Sequence, residues 1–178
     1  MKVISELMDP ESIHRTVIRL THEIIEKHRG AKNLVLVGIR NRGDVLARRM
    51  IEQIREIEKT DVPLGILDIT LYRDDFQCLS EQPVLQETDI PLDITNRKIV
   101  LIDDVLYTGR TVRAALDALI DFGRPAVIQL AVLLDRGHRE LPIKADYVGK
   151  NVPTSASQQV QVKLKEVDGE DRVFLLET

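Results

Sequence analysis

Two adjacent carboxylates, Asp103 and Asp104, follow the apolar run "IVLI" near the middle of the sequence. Neighbouring acids at the end of a buried run suit the hydroxyl groups of a polyol, or a cation that such a ligand brings with it. The alternative is an ordinary strand end that happens to carry two acids. The segment that follows the acids favours the first interpretation.

This segment, "YTGRT", begins with Tyr107 and leads into an amphipathic pattern typical of a helix. The first N–H groups of a helix have no internal partners and bind phosphate well. Gly109 lets the backbone approach a ligand closely, and Thr108 and Thr111 can add hydroxyl donors. Arg110 either adds positive charge or is only a first-turn helix residue. A phosphate site beside a diol site predicts a sugar phosphate as the ligand.

A second loop with suitable chemistry lies in "LVGIRNRGDVLARRM". Arg40, Asn41 and Arg42 stand between an apolar run and a helical pattern, and Gly43 permits a tight turn there. Taken alone, the loop is equally well explained as a surface turn with incidental arginines. Together with the first segment, it indicates a second anion-binding loop.

The elements that must position these loops alternate along the chain. Hydrophobic spacing predicts helices over 11–28, from about 45 to 57, and over 110–121, and strands over 33–38, 64–72, 98–103 and 126–135. Near-continuous apolar strands that alternate with helices predict an α/β fold, a doubly wound and mainly parallel sheet with helices on both faces. In such sheets ligands bind beyond the carboxyl ends of the strands, where both loops lie.

Composition limits the class of protein. The 178 residues fit a single domain, 1–178, and end in a pattern that predicts a β-hairpin around Asp168 and Gly169. The net charge of −4 argues against a general polyanion binder. The one cysteine, Cys78, excludes an internal disulfide and is expected to be a bystander. With no apolar run of signal-peptide or membrane-spanning length, we expect a cytoplasmic protein and no membrane partner.

The stretch "IVLIDDVLYTGRT" resembles the phosphoribosyl pyrophosphate (PRPP) motif of the type I phosphoribosyltransferase family. The resemblance implies that Asp103 and Asp104 contact the ribose hydroxyls and that residues 107–111 hold the 5′-phosphate. It also implies that the loop of Arg40, Asn41, Arg42 and Gly43 is the family's pyrophosphate loop.

The segment "DITLYRDD" and the long loop after it resemble the small flexible hood that closes over the family's active site. Residues 72–94 contain one cation, Arg73, against six acids. By resemblance, Arg73 reaches the leaving pyrophosphate and Asp74 or Asp75 orders it. A solvated acidic loop is the alternative for the individual acids.

The chemistry implied by this family is transfer of a ribosyl phosphate through a positively charged, oxocarbenium-like ribose. Charge on the departing pyrophosphate is stabilised by Arg42, Arg73 and Mg²⁺. Mg²⁺ keeps waters and ligand oxygens and takes few protein carboxylates. We therefore expect a metal that arrives with the substrate, with Asp103 and Asp104 as its possible protein contacts.

The position of Tyr107 bears on which base is used. Many purine-using members of the family carry an Asp there, and a phenol is a poor base near neutral pH. Tyr107 therefore argues against a purine as the acceptor.

By resemblance, "ADYVGK" supplies the base pocket, in which Tyr147 stacks on the ring and Val148 offers backbone hydrogen bonds. Asp135 or Arg136 reads the base edge. Packing in the core is the alternative for Tyr147.

Across nearly the whole chain, the segments "DITLYRDD", "DDVLYTGRT" and "DRGHRELPIKADYVGKNVPTS" and the closing hairpin resemble one subfamily. Its members are bifunctional pyrimidine operon regulators and uracil phosphoribosyltransferases. The resemblance implies that uracil and PRPP give uridine monophosphate (UMP) and diphosphate. It also implies transcription attenuation through UMP-promoted binding to the leader mRNA of a pyrimidine operon. A hypoxanthine-type purine transferase without an RNA role is the alternative enzyme.

Two basic segments are candidates for RNA contact. Helical spacing puts Arg15, Arg19 and His22 on one face, opposite the apolar stripe of the same helix. Residues 124–151 carry five cations and three acids, a local excess of two; the candidates among them are His138, Arg139, Lys144 and Lys150. A cationic helix face is more often simply solvated, so the RNA role rests on the resemblance. The family also leads us to expect a homo-oligomer, a dimer or larger.

Overall fold

The computed structural model describes residues 1–74 and 87–177. Asp75, Glu81 and Cys78, which the sequence analysis assigned to the hood or to a loop, lie outside these residues. The described elements are, in chain order, β1 (Lys2–Met8), α1 (Pro10–His28), β2 (Leu34–Ile39), α2 (Gly43–Glu58), β3 (Leu64–Leu67), a 3₁₀ turn (Thr70–Tyr72), β4 (Lys98–Leu106), α3 (Arg110–Ile120), β5 (Val127–Asp135), β6 (Tyr147–Asn151), β7 (Gln158–Lys163), α4 (Lys165–Asp168) and β8 (Arg172–Glu177).

The main sheet has the order β3-β2-β4-β5-β6, and all its strands are parallel. Side chains of β4 point alternately to its two faces. Val100 and Ile102 join the core under α1 and α2, whereas Ile99 and Leu101 join the core under α3. The predicted α/β fold, with helices on both faces of a parallel sheet, is confirmed.

The predicted C-terminal hairpin is present, but it is part of a larger sheet. Strands β7 and β8 pair antiparallel, with α4 in their connection, and β1 pairs with the other edge of β8. The sequence analysis missed β1. Its first five residues are exposed and its register with β8 shifts twice, so it lacks the alternation that marks a half-buried strand.

The strand predicted over 64–72 is too long. Strand β3 ends at Leu67 because Asp68 folds the chain back on itself. Its Oδ1 accepts hydrogen bonds from the backbone N–H of Thr70, at 2.9 Å, and from the Thr70 hydroxyl. Such a local side-chain turn replaces the ladder hydrogen bonds that a longer strand would need. The 3₁₀ turn that follows brings residues 68–73 toward the carboxyl ends of the strands.

Candidate active site

Asp103 and Asp104 lie near the carboxyl end of β4. This strand runs three residues further than predicted. Asp103 is 7% exposed and Asp104 is half-buried. Oδ1 of Asp103 accepts the N–H of Asp104 at 2.9 Å, and Oδ1 of Asp104 accepts the N–H of Val105 at 2.7 Å. Within residues 1–74 and 87–177, neither carboxylate forms a salt bridge.

Burial raises the pKa of Asp103 well above its ordinary value, and the negative charge of Asp104 raises it further. Burial also raises the pKa of Asp104, against the lowering effect of the positive charge of Arg42. Two neighbouring buried acids that form no salt bridge with the described residues are costly to ionise together. A ligand that brings hydroxyl donors or a metal ion removes this cost, so the pair suits a diol or a metal-bound diol.

The turn after β4 is shaped as an anion site. Gly109 has a φ of 93° and precedes the first residue of α3, Arg110, so a side chain here would strain the backbone. The carbonyl of Thr108 accepts the N–H groups of Glu140 and Leu141 at 2.9 and 3.2 Å, which holds the turn in place. The N-terminus of α3 therefore directs free N–H groups at a fixed position next to Asp103.

The second loop begins α2 directly beside the aspartates. A Cβ atom on Gly43 would lie 2.2 Å from the carbonyl oxygen of Ile102, so only glycine allows this approach of α2 to β4. Arg42 is the residue before α2, and Asp168 accepts two hydrogen bonds from its guanidinium, from Nε at 3.1 Å and Nη2 at 2.8 Å. The sequence analysis did not foresee Asp168, since nothing in the sequence links positions 42 and 168.

Two cavities of about 330 and 320 Å³ join these features into one cleft. Asp103, Val105, Thr111 and Arg73 line both of them. The rest of the first cavity is lined mainly by the turn after β4: Leu106, Tyr107, Thr108, Gly109, Arg110, Val112, Asp74 and Glu140. The rest of the second is lined mainly by the other loop and the 3₁₀ turn: Arg40, Asn41, Arg42, Asp104, Asp68, Ile69 and Thr70. The structure thus brings the PRPP motif, the second loop and Arg73 together.

Arg110 lines the first cavity, but its guanidinium is already bound by two carboxylates. Its Nη1 donates to Asp74 at 2.5 Å and its Nε to Glu140 at 2.6 Å. Asp74 also accepts from Arg113 at 3.2 Å. Asp74 therefore contacts the arginines of α3, whereas the sequence analysis paired it with the pyrophosphate.

Arg136 is 6% exposed and packs against Tyr107, which lines the first cavity, but Arg136 itself lines neither cavity. Its guanidinium carbon lies 3.9 Å from the centre of the Tyr107 ring, a cation–π contact. Its Nη2 donates to the carbonyl of Gln158 at 2.7 Å and its Nε to the Thr154 hydroxyl at 3.2 Å. Asp135 accepts the N–H of Gly137 at 3.0 Å and is paired with Arg139. Both predicted base-reading residues are thus held by other protein groups.

The position of Tyr147 does not fit the prediction that it stacks on the base. It opens β6, is 3% exposed and packs in the core under α1 and α2, and its hydroxyl donates to Oε1 of Gln129 at 2.7 Å. Val148 packs against the opposite core, under α3. Neither residue lines the two cavities. The sequence signal, an aromatic residue opening a short strand, is equally typical of core packing.

The predicted RNA-contacting residues fall into separate groups. Arg15, Arg19 and His22 are exposed on α1, as predicted. Arg19 donates to the carbonyl of Gly149, which places it beside Lys150 of β6. Lys150 itself donates to the carbonyl of Leu7 at 2.8 Å.

The other candidates lie elsewhere. Nε2 of His138 is 2.6 Å from the carbonyl oxygen of Thr154, and its ring meets Tyr107 edge-on at 6.2 Å between centroids. The guanidinium of Arg139 bonds Asp135 and the carbonyl of Tyr107, the latter at 2.7 Å. Arg139 is therefore held by protein groups, and its contact with RNA stays a prediction. Lys144 is exposed.

The part of the chain that the structure describes holds no cluster of three or more His, Cys, Asp or Glu side chains that could bind a metal ion. It also contains no helix long and apolar enough to cross a membrane.

Comparison with known proteins agrees with this geometry. The model of the phosphoribosyl transferase domain family matches residues 4–166. Bifunctional protein PyrR of Pelotomaculum thermopropionicum is 60% identical over 174 residues, 98% of this chain and 96% of the relative. Bifunctional protein PyrR of Thermus thermophilus is 59% identical over 177 residues, 99% of this chain and 98% of the relative.

Solved structures share the fold at low sequence identity. A hypoxanthine phosphoribosyltransferase from Staphylococcus aureus superposes with a TM-score of 0.72 at 22% identity, over 99% of this chain and 94% of the other. One from Trypanosoma cruzi gives 0.74 at 19% identity, over 99% and 92%. The cleft formed by the PRPP motif and the arginine loop, the family match and the relatives at about 60% identity lead to one conclusion: the chain belongs to the phosphoribosyl transferase family and, within it, to the bifunctional PyrR proteins.

Proposed function

We propose that this protein transfers the ribosyl phosphate of PRPP to uracil, which gives UMP and diphosphate, and that it attenuates transcription by binding the leader mRNA of a pyrimidine operon when UMP is bound. The observation that carries the proposal is the pair Asp103 and Asp104 between two anion-binding loops, in a chain about 60% identical to bifunctional PyrR proteins. A cytoplasmic location and a homo-oligomeric state remain predictions.

Each part of the cleft has a separate task in this reaction. The N–H groups and hydroxyls of residues 107–111 bind the 5′-phosphate, and the two aspartates accept hydrogen bonds from the ribose hydroxyls. Arg40, Asn41, Arg42 and Gly43 bind the diphosphate, with Arg73 placed at the junction of the two cavities. Donors fixed in this way stabilise charge as it develops on the leaving group, at little cost in reorganisation.

The donor set around the aspartates also fits Mg²⁺. Asp103 and Asp104 offer carboxylate oxygens that form no salt bridge with the described residues, and among these residues no third His, Cys, Asp or Glu completes a metal-binding cluster with them. When it is bound with PRPP, Mg²⁺ supplies positive charge against the departing diphosphate. The aspartates would hold it through the ribose hydroxyls or by direct contact.

Tyr107 and Arg136 are the described residues best placed to limit the base. Tyr107 lines the first cavity, and Arg136 stacks on its ring, held by bonds to the Thr154 hydroxyl and to the carbonyl of Gln158 at the start of β7. A rigid aromatic wall can set the width available to the base. Asp135 supports this wall through Gly137 and Arg139.

A competition assay tests the catalytic half of the proposal. The protein is incubated with PRPP, Mg²⁺ and equal amounts of uracil, hypoxanthine and guanine, and the nucleotides formed are separated. We expect UMP alone. Formation of inosine or guanosine monophosphate instead would establish the purine alternative.

The regulatory half needs a separate measurement. Binding to a structured pyrimidine leader RNA is followed with and without UMP over a range of salt concentrations. UMP should tighten binding, and binding should weaken as salt rises, because phosphate contacts release counterions. Replacement of Arg15 and His22 on α1 should weaken binding and leave uracil turnover unchanged. Turnover without any UMP-dependent RNA binding would leave only the enzyme.

A further inference from the structure

The connection between β7 and β8 is bonded to α2 through two aspartates that accept the same number of hydrogen bonds. Asp168 receives two hydrogen bonds from Arg42 and one from the backbone N–H of Leu164, at 2.9 Å. Asp171 receives two from Arg49, at 2.7 and 3.0 Å, and one from the backbone N–H of Lys165, at 2.7 Å. The two carboxylates are equally accessible, at 19% and 20% exposure.

The two arginines differ in what else they face. Arg42 lines the cavity that also contains Asp103, Asp104 and Arg73. Arg49 lies two turns further along α2, on a small depression formed with α1, and lines neither cavity of the active site. Asp168 therefore bonds an arginine of the cleft, and Asp171 bonds an arginine outside it.

A carboxylate that bonds both Nε and Nη2 fixes the plane of a guanidinium as well as its position. Nη1 of Arg42 takes part in neither bond with Asp168. Asp168 is itself held by the N–H of Leu164, so the connection cannot swing without moving Arg42. The bond to Arg42 also keeps the pKa of Asp168 below its ordinary value, so the carboxylate is ionised at neutral pH.

We infer that Asp168 is a positioning residue for the diphosphate subsite: through its two bonds it orients Arg42 toward the diphosphate group of PRPP. The inference rests on the proposed phosphoribosyl transfer. It assigns the C-terminal connection, which lies outside both sequence motifs of the cleft, a part in binding the leaving group. Arg42 touches the substrate, whereas Asp168 acts only through Arg42.

The test compares Asp168→Asn with Asp171→Asn in the full chain. Both variants lose one carboxylate oxygen facing an arginine. For Asp168→Asn we expect the KM for PRPP to rise about tenfold, with the KM for uracil unchanged. In the reverse reaction, the KM for diphosphate should rise and that for UMP should not. Asp171→Asn should leave all four constants as in the parent protein.

A double-mutant cycle separates positioning from general damage. In an Arg42→Gln background, Asp168→Asn should add less than a twofold change in the KM for PRPP, because the group it orients is absent. An unchanged KM in the Asp168→Asn single variant, an equal rise in Asp171→Asn, or full additivity in the cycle would each overturn the inference. Should Asp168→Asn not fold, Asp168→Ser carries the same test, since its hydroxyl can still accept the N–H of Leu164.

A binding experiment keeps this inference distinct from the proposed reaction. Titration calorimetry of inorganic diphosphate with Mg²⁺ into each protein needs no turnover. Weaker binding to Asp168→Asn than to Asp171→Asn supports the positioning role even if no base is consumed. Absence of turnover with every base would count against the proposed function alone, and equal diphosphate binding by the two variants would count against the role of Asp168 alone.

Discussion

The aspartates of the cleft and those of the β7–β8 connection have the same side chain and opposite electrostatic surroundings. Burial raises the pKa of Asp103 and Asp104, and no salt bridge with the described residues offsets that burial. Asp168 and Asp171 each accept two hydrogen bonds from an arginine, and their pKa values are lowered. Ionised acids of the first pair destabilise the unliganded fold, whereas those of the second pair stabilise it.

This difference separates acids that serve a ligand from acids that serve the fold. A protein keeps an uncompensated buried carboxylate only where something outside the chain completes its environment. Arg42 belongs to both groups, because it bonds Asp168 and its charge also lowers the pKa of Asp104. The arginine is thus the link through which the connection can influence the cleft.

The largest effect is expected from Asp103→Asn. The amide is uncharged, and its NH₂ group replaces one of the two oxygens that can accept from ribose hydroxyls, so turnover should fall by about 10²-fold or more. The same change removes a buried ionisable carboxyl whose pKa burial raises, so the free energy of unfolding at neutral pH should rise. Steady-state kinetics and urea unfolding measure the two quantities. Lower stability of the Asp103→Asn variant would mean that Asp103 stabilises the fold, as Asp171 does. The two pairs of aspartates would then not differ in the way argued above.

A smaller loss of activity is expected from Arg42→Gln, which removes the arginine that interacts with both the cleft aspartates and the β7–β8 connection. The diphosphate subsite loses a charge and Asp104 loses the nearby cation, so the KM for PRPP should rise roughly tenfold. Arg42→Lys is the matched variant, because it keeps the charge and cannot bond Asp168 through two nitrogens. If lysine restores the KM fully, charge alone matters and the orientation set by Asp168 does not.

The aspartates of the cleft and those of the β7–β8 connection should also make the stability of the fold depend on pH in opposite directions. A raised pKa in the folded state means that Asp103 binds more protons folded than unfolded. Its contribution therefore makes unfolding easier as pH rises from about 3.8 through the raised value. The stability that Asp171 provides is full above pH 3.8 and is lost as pH falls toward its lowered pKa. Unfolding curves from pH 3 to 8 measure both slopes.

Variants of each aspartate show which residue causes each change of stability with pH. Asp103→Asn should remove the decline of stability with rising pH, relative to the parent protein. Asp171→Asn should remove part of the rise on the acid side only. If both variants changed the curve in the same direction, the distinction between the two groups of aspartates would be wrong.

Much of the fold followed from local patterns, because four strands of the main sheet and the helices that cover it carry their own hydrophobic period. The edge strand β6 was not predicted, since only its first residue, Tyr147, is buried. What failed were features set by distant partners. Strand β1 depends on pairing with β8 at the other end of the chain, and Asp68 ends β3 by a side-chain turn that hydrophobicity does not encode. The region from 98 to 120 was predicted nearly as found, since strand, turn and helix are all local there.

The site was predictable to the same extent. The turn after β4 and the loop before α2 carry local signals, a glycine at a helix start and clustered polar residues. The partners of these residues do not: Arg110 with Glu140, Arg139 with Asp135 and Tyr107, and Arg42 with Asp168. Sequence reasoning could assign no protein partner to these arginines, whereas in the structure each of the three is bonded to groups that only folding brings near.

The smallest effect is expected from Asp171→Asn. Arg49 keeps its bonds to Glu166, at 2.5 and 2.9 Å, so the β7–β8 connection remains attached to α2. The loss should be about 1 kcal/mol in the free energy of unfolding at pH 7, close to that of one partly buried hydrogen-bonded pair. Uracil turnover should not change, because Arg49 lies outside the cleft. A drop in turnover with little loss of stability would mean that the whole connection, and not Asp168 alone, controls the diphosphate subsite.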